Sequence, residues 1–354
     1  MSPRLPECNQ NKHSQCQGYL CTCPHEEIGD LMTEVDELTV SHSRVESFLQ
    51  CARKEYYSYG RKIQKQETST ALALGSAIHK VLETLYRHVL EAGMSKKAQR
   101  EAYPHAVERA MVMVEQIYKD GFQDSPKRAP LSLIIEKYLQ REPFIDNDWR
   151  EDDDRQWLIL AVEKEFRLEW DPDTKSSYPF VVDLLVKDPD GYVIVVDNKG
   201  VYDLYNFEET ELMPQIPKYI GALRALGYKI GNYGVYNMLR TRPDTKAGRP
   251  LHEWARAMDF QISGVRVQRS FQEQIVASQL VHDLDSLSDE DRDLRAIRTH
   301  NKDTCVRMCD FRELCVAEMA GKNTAVLMKS TYEPKKKREK IEVSPEAPNE
   351  RNAS

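Results

Sequence analysis

The sequence predicts an α/β (α+β) fold: a helical first part, then a mixed central β-sheet flanked by helices. Three observations carry this expectation. Apolar residues recur at helical spacing between residues 41 and 160. The period then shortens to that of strands between 161 and 262, with turn residues between the runs. Helical spacing returns after 263. With 354 residues, 40% of them hydrophobic, the chain is long enough to bury a substantial core.

Residues 1–38 read as an appendage. They hold Cys8, Cys16, Cys21, Cys23, His13 and His25 but few aliphatic side chains, so they cannot bury a core of their own. A small zinc site is one reading of this segment, since thiolates and imidazoles suit Zn²⁺; a tail with stray thiols is the other. The main domain is expected over 39–326. It opens with LTVSHSRVESFLQCARKEYYSYG, where Val45, Phe48, Leu49, Ala52 and Tyr56 line one helical face behind a Ser41 or Ser43 N-cap. ALALGSAIHKVLETLYRHVLEAG (71–93) is a second amphipathic helix that stops at a glycine, and two or three more helices fill 97–160.

WLILAVEKEFRLEW, YPFVVDLLVKD and GYVIVVDNKG then read as strands, the last two joined by a DPDG turn. ELMPQIPKYIGALRALGY is a helix, NYGVYNMLRTR and EWARAMDFQIS are strands, and QRSFQEQIVASQLVHDLDSL opens the C-terminal helical part, 263–326. The charged, proline-bearing sequence from 327 onwards is expected to be disordered.

The composition limits the function classes. Thirty per cent charged residues and a mean hydropathy of −0.63 describe a soluble protein. No apolar run reaches the ~20 residues that a membrane helix needs, and the first residues have no apolar core of a secretory signal. A cytoplasmic protein is expected, so its eight cysteines suggest metal ligands or reduced thiols rather than disulfides. The net charge of −7 leaves room for a local basic groove. Acidic runs at 151–155 and 283–293 read as solvated surface, and the KKKRE run as a solvated tail. No G-x-x-x-x-G-K-[ST] element occurs, which excludes an ATP-driven motor of that class.

Candidate chemistry lies in the strand region. Asp183 lies in PFVVD and Asp197 closes YVIVVD, which places two carboxylates on adjacent strands, close enough to share a hard divalent ion. In D-N-K, residues i and i+2 face the same way, so Lys199 points to the side of Asp197. Such a triplet arises often by chance among 57 acids. Its place at the end of a buried-looking strand, a costly site for an idle charge, argues for function. Gln215 and Tyr219, at i and i+4 on the next helix, share a face. Glu163 in AVEKEF lies nearby and reads as a surface-strand residue.

These elements, with His79 in GSAIH and the cysteines of TCVRMCDFRELC, resemble the PD-(D/E)xK nucleases of the RecB type. The similar branch carries an iron–sulfur cluster, as in the AddB nuclease domain and the CRISPR-associated iron–sulfur exonucleases. The likeness covers residues 39–325. It implies a restriction-endonuclease-like core and a metal-dependent exonuclease acting on DNA, with single-stranded ends as substrate. The setting implied is phage or bacterial recombination, repair or CRISPR adaptation, with a separate helicase, recombinase or CRISPR integration protein as partner.

The resemblance further implies that Mg²⁺ or Mn²⁺ is held by His79, Asp183, Asp197 and the Asn198 carbonyl, and that Lys199, Gln215 and Tyr219 complete the catalytic set. Gly75 to His79 matches the family's G-x-x-x-H element and Gln215 to Tyr219 its Q-x-x-x-Y element. Cys51, Cys305, Cys309 and Cys315 would ligate a [4Fe–4S] cluster, although four thiolates also suit zinc. The chain departs from the family twice. Gly200 follows the lysine where a small hydroxyl residue is usual, and Cys305 and Cys309 enclose three residues rather than two. A non-catalytic nucleic-acid-binding or adaptor protein and an RNA-directed nuclease are the alternative readings.

Overall fold

The computed structural model describes residues 39–66, 69–145, 157–171, 176–243 and 249–335. The Cys/His-rich segment 1–38, the acidic run 151–155 and the sequence beyond 335 lie outside the described residues. In chain order the elements are α1 (His42–Gln50), α2 (Ala52–Glu55), β1 (Ile63–Lys65), α3 (Thr70–Glu91), α4 (Lys96–Lys119) and α5 (Leu131–Leu139). Next come β2 (Leu158–Asp171), β3 (Ser176–Lys187), β4 (Val193–Val201), α6 (Phe207–Glu211), α7 (Gln215–Ala225), β5 (Ile230–Arg240) and β6 (Ala255–Gln261). The last are α8 (Gly264–Asp285), α9 (Asp289–Arg295), α10 (Arg312–Met319), α11 (Ala325–Thr331) and β7 (Tyr332–Pro334).

A five-stranded mixed sheet in the order β2-β3-β4-β5-β6 carries the fold. Its pairings are antiparallel except β4–β5, which is parallel and needs the crossover that α7 supplies. Helices cover both faces. On one side Ile194 and Val196 of β4 join a core with Ile78, Val81 and Leu85 of α3 and Leu131 and Ile135 of α5. On the other, Val195 joins Ile216, Ile220 and Leu223 of α7. Burial on both faces explains why β4 reads as a nearly unbroken apolar run. Each such aliphatic side chain contributes roughly 1.5–3 kcal/mol when fully buried. The arrangement is the mixed α/β, restriction-endonuclease-like architecture expected from the sequence.

Helix α7 is held close on two sides. A Cβ at Gly234 of β5 would lie 2.4 Å from Cγ2 of Ile216, and one at Gly221 would lie 2.5 Å from Cβ of Phe271 in α8. Any larger residue would push α7 away and move whatever its first turn presents.

Two boundaries differ from the sequence reading. The strand read in WLILAVEKEFRLEW runs over Leu158–Asp171, so the sheet begins three residues before the 161 boundary expected for it, with Trp157 and Ile159 packed into the core with Phe144. The expected disorder from 327 does not hold for its first residues. α11 and β7 are formed, and β7 pairs antiparallel with β1, stacking Tyr332 on Phe311, which in turn meets Tyr57. A buried ion network also joins the early and late helices. Arg44 donates to Glu55 (2.8 Å) and Asp285 (2.6 Å), and Arg292 reaches the same two carboxylates at 3.2 and 2.6 Å.

Candidate active site and cysteine cavity

Three acids lie side by side across β2, β3 and β4. The β2–β3 register runs Val162↔Leu184 and Lys164↔Val182, which sets Glu163 opposite Asp183. The β3–β4 register ends at Leu184↔Val196, so Asp183 and Asp197 form the next opposed pair. There the Asp183 carboxylate replaces the backbone ladder: its Oδ2 accepts the Asn198 N–H at 2.7 Å. Glu163 has φ 44°, in the left-handed region that a non-glycine residue occupies at a cost. This backbone turn brings its carboxylate beside Asp183, and it corrects the expectation that Glu163 is a surface-strand residue.

His79 comes from α3. Its Nδ1 lies 3.6 Å from both Glu163 Oε1 and Asp183 Oδ2. One donor atom from each of these three residues falls within 4.8 Å of the others. Gly75, one turn earlier on α3, faces Gly200: a Cβ on Gly200 would stand 3.7 Å from the Gly75 Cα and 3.0 Å from Cδ1 of Ile78. Ile78 therefore occupies the room that a side chain after Lys199 would need.

The electrostatics favour bound protons or a cation at this point. Burial, then the charge of Asp197, push Asp183 up to about 7. Burial alone would lower His79, but its hydrogen bond to Glu163 and the charges of Asp183, Glu163 and Asp197 carry it up to about 9. Oxygen and imidazole donors converging on one point, with negative charge in excess, fit a hard divalent ion.

A consequence is testable on the metal-free protein. Asp183 titrates from an ordinary 3.8 when unfolded to about 7 when folded, so ionising it costs stability as the pH rises between these values. His79 moves from 6.5 to about 9, so its contribution is complete below 6.5 and lost as the pH rises through about 9. Both signs agree: thermal stability without divalent ions falls as the pH climbs from about 4 to about 9. Adding Mn²⁺ or Mg²⁺ at high pH restores it. A melting temperature unmoved by the ion in calorimetry at the alkaline end would count against a metal site here.

A second set of contacts leads away from Asp197, which is 1% exposed. The Lys199 Nζ lies 2.8 Å from Oδ2 and 3.1 Å from Oδ1 of Asp197, confirming that the two side chains share a face. It also donates to Gln215 Oε1 at 2.8 Å, and Gln215 Nε2 donates to the Tyr219 hydroxyl at 3.1 Å. Burial opposes the lysine's charge, but Asp197 more than restores it, so Lys199 stays protonated. Burial, then Asp197, hold the Tyr219 phenol well above its ordinary range. Its ring stacks on Phe180 at 5.2 Å and meets His42 edge-on at 5.8 Å. The Asn198 side chain faces the opposite side, where its Oδ1 accepts from Asn237 at 2.8 Å.

The four cysteines meet at a separate place. Cys51, Cys305, Cys309 and Cys315 line one cavity of about 170 Å³, together with Tyr57, Phe311 and Arg298. All four are free thiols and half-buried. Burial pushes the Cys309 thiol up, and the charges of Cys51 and Cys305 act in the same direction. Arg298 Nε lies 3.1 Å from Cys315 Sγ and its other end is paired with Glu318. Four sulfur donors around one cavity, one of them already facing a guanidinium, fit a soft, thiolate-bound metal group.

The structure thus brings His79, Asp183, Asp197 and Lys199 together, links Gln215 and Tyr219 to them, and gathers the four cysteines elsewhere. Glu163 is the residue that sequence reasoning missed; only its place in the first strand, opposite an internal aspartate, hinted at it.

A family model described as the PD-(D/E)XK nuclease superfamily matches residues 39–316. No curated protein matches the chain.

Proposed function

Because the chain belongs to the PD-(D/E)XK nuclease superfamily, we propose that it is a metal-dependent exonuclease acting on DNA, with single-stranded ends as its substrate. The observation that carries this reading is the row of Glu163, Asp183 and Asp197 closed by His79, with Lys199 hydrogen-bonded to Asp197. His79, Glu163, Asp183, Asp197 and the Asn198 carbonyl would hold Mg²⁺ or Mn²⁺. When bound, such an ion polarises the phosphate and makes water a better nucleophile at neutral pH.

The rest is the work of this chain's own residues. Lys199, kept charged and aimed by Asp197 and Gln215, orients the attacking water or stabilises charge developing on the phosphate. Tyr219 keeps its proton and holds Gln215, which in turn fixes the ammonium. Asn198 donates its backbone N–H to Asp183 and so sets the direction of that carboxylate.

The cysteine cavity supports a [4Fe–4S] cluster held by Cys51, Cys305, Cys309 and Cys315, with a structural role. A cross-link between residues so far apart in sequence stabilises by roughly 5 kcal/mol at most in the chain-entropy estimate for disulfides. No helix among the described residues is long and apolar enough to cross a membrane.

Digestion of end-labelled and covalently closed single-stranded DNA, with Mg²⁺, Mn²⁺ or chelator, tests the reading. Linear strands should be degraded from the end only with a divalent ion, and circles should survive. Circles cut as fast as linear strands would make the protein an endonuclease, and a matched RNA strand cut preferentially would change the substrate class.

A further inference from the structure

Beyond the catalytic residues, the carboxyl end of β4 carries an arginine cluster. Tyr202 follows the last residue of β4 and is 48% exposed. Two guanidiniums rest against its ring, Arg128 at 4.7 Å and Arg242 at 5.7 Å from the centroid. Backbone bonds hold the arrangement. The Arg242 N–H donates to the Tyr202 carbonyl at 3.1 Å, and the Ala129 N–H donates to the Thr241 carbonyl at 2.7 Å. Arg128 is further tied to the Thr241 hydroxyl at 2.7 Å.

A third guanidinium belongs to Arg240, which is 5% exposed and donates to Asp203 at 3.1 Å. Its Nη1 is buried and has no hydrogen-bond partner. Asp203 also accepts from Arg242 at 3.1 Å. Two of the three guanidiniums thus share a single carboxylate, and Arg128 has none among the described residues, in a chain whose net charge is −7. An exposed pair such as Arg242–Asp203 contributes little, so its arginine can exchange the carboxylate for another anion.

We propose that Tyr202, Arg128 and Arg242 form a phosphate-binding platform for a nucleic-acid strand, beside the catalytic centre. This inference rests on the proposed nuclease reading and names how that site grips its substrate. A guanidinium resting on an aromatic ring and tied at one nitrogen is pre-positioned, and its remaining N–H donors suit phosphate oxygens better than a mobile lysine does. Tyr202 lies three residues beyond Lys199. Thr241, which holds Arg128, stands 3.6 Å from where a Cβ on Gly200 would be, beside Gly75 of the helix that carries His79, so the platform adjoins the catalytic centre. Contacts of this kind carry no base information and set register and affinity.

The test is binding of a labelled single-stranded oligonucleotide in chelator, by fluorescence anisotropy across ~50–200 mM salt. Arg128→Gln with Arg242→Gln should weaken binding at least tenfold and flatten the log–log salt slope by roughly 1.4, about 0.7 for each lost phosphate contact. Tyr202→Ala, at an exposed position, should weaken binding with both arginines still present. Asp203→Asn should tighten it, an opposite sign that general damage to the fold would not produce. Inorganic phosphate serves as a competitor. If it displaces the strand from the unaltered protein, and less so from the double variant, the platform binds phosphate groups as proposed.

An unchanged affinity and salt slope in the arginine variants would overturn the platform while leaving the nuclease reading intact. Strand binding by neither the variants nor the unaltered protein would remove the nuclease reading and the platform with it.

Discussion

Replacing Asp197 by alanine should reduce cleavage by about 10²- to 10³-fold, the scale seen when one preorganised charge-stabilising group is removed from an active site. The physical reason is that Asp197 acts on two neighbours at once. It holds the Lys199 ammonium at 2.8 Å, and its charge helps push Asp183 up to about 7. Without it the lysine loses its aim and the divalent ion loses a ligand. In the metal-free protein the same change relieves the crowding on Asp183 but leaves the Lys199 ammonium without its nearest carboxylate, so stability should change little. Lys199→Ala should give the contrasting pattern. Cleavage falls, divalent binding remains because an ammonium is not a ligand, and the metal-free fold weakens as three carboxylates lose their nearest cation. Turnover, Mn²⁺ titration and melting temperature, measured on both variants, separate these outcomes. An Asp197→Ala protein, free of host nucleases, that digests DNA at the original rate would show that the chemistry lies elsewhere.

Cys51→Ala should abolish the proposed cluster and much of the stability, although more than two hundred residues separate this cysteine from the other three. Protein prepared without oxygen should be brown, with absorption near ~400 nm and about four irons per chain, and the variant should lose both. A loss approaching 5 kcal/mol would lower the melting temperature by roughly 10 °C in a chain of this size. The effect should spread through the packed cluster of Tyr57, Phe311, Leu314 and Tyr332, against which Cys309 and Cys315 rest. Cys8, Cys16, Cys21 and Cys23 should be dispensable for the colour. A colourless protein with one tightly bound zinc and no iron would assign the cavity to zinc instead.

Much of the architecture was legible because its signals are local. The unbroken apolar run in YVIVVD and the DPDG turn before it belong to a strand buried on both faces, and β4 is that strand. Likewise the side-by-side direction of Asp197 and Lys199 follows from strand geometry alone, as does the shared face of Gln215 and Tyr219 from helix geometry. Chain order also sufficed to set Asp183 and Asp197 on neighbouring strands, since a short turn joins their segments.

Other features depend on contacts that no local pattern encodes. Glu163 enters the site only because β2 pairs with β3 in a register that opposes it to Asp183, and because its backbone turns into the left-handed region. β1 and β7 are three residues each and exist only as partners across the whole chain. Their pairing keeps residues up to 335 ordered where composition alone suggested a tail. Tyr202 and its arginines come from three separate segments, and their meeting is set by the parallel β4–β5 ladder. Period and composition are properties of neighbours along the chain. Register, strain and the convergence of distant charges arise only when the sheet has formed, and the third acid and the arginine platform were decided there.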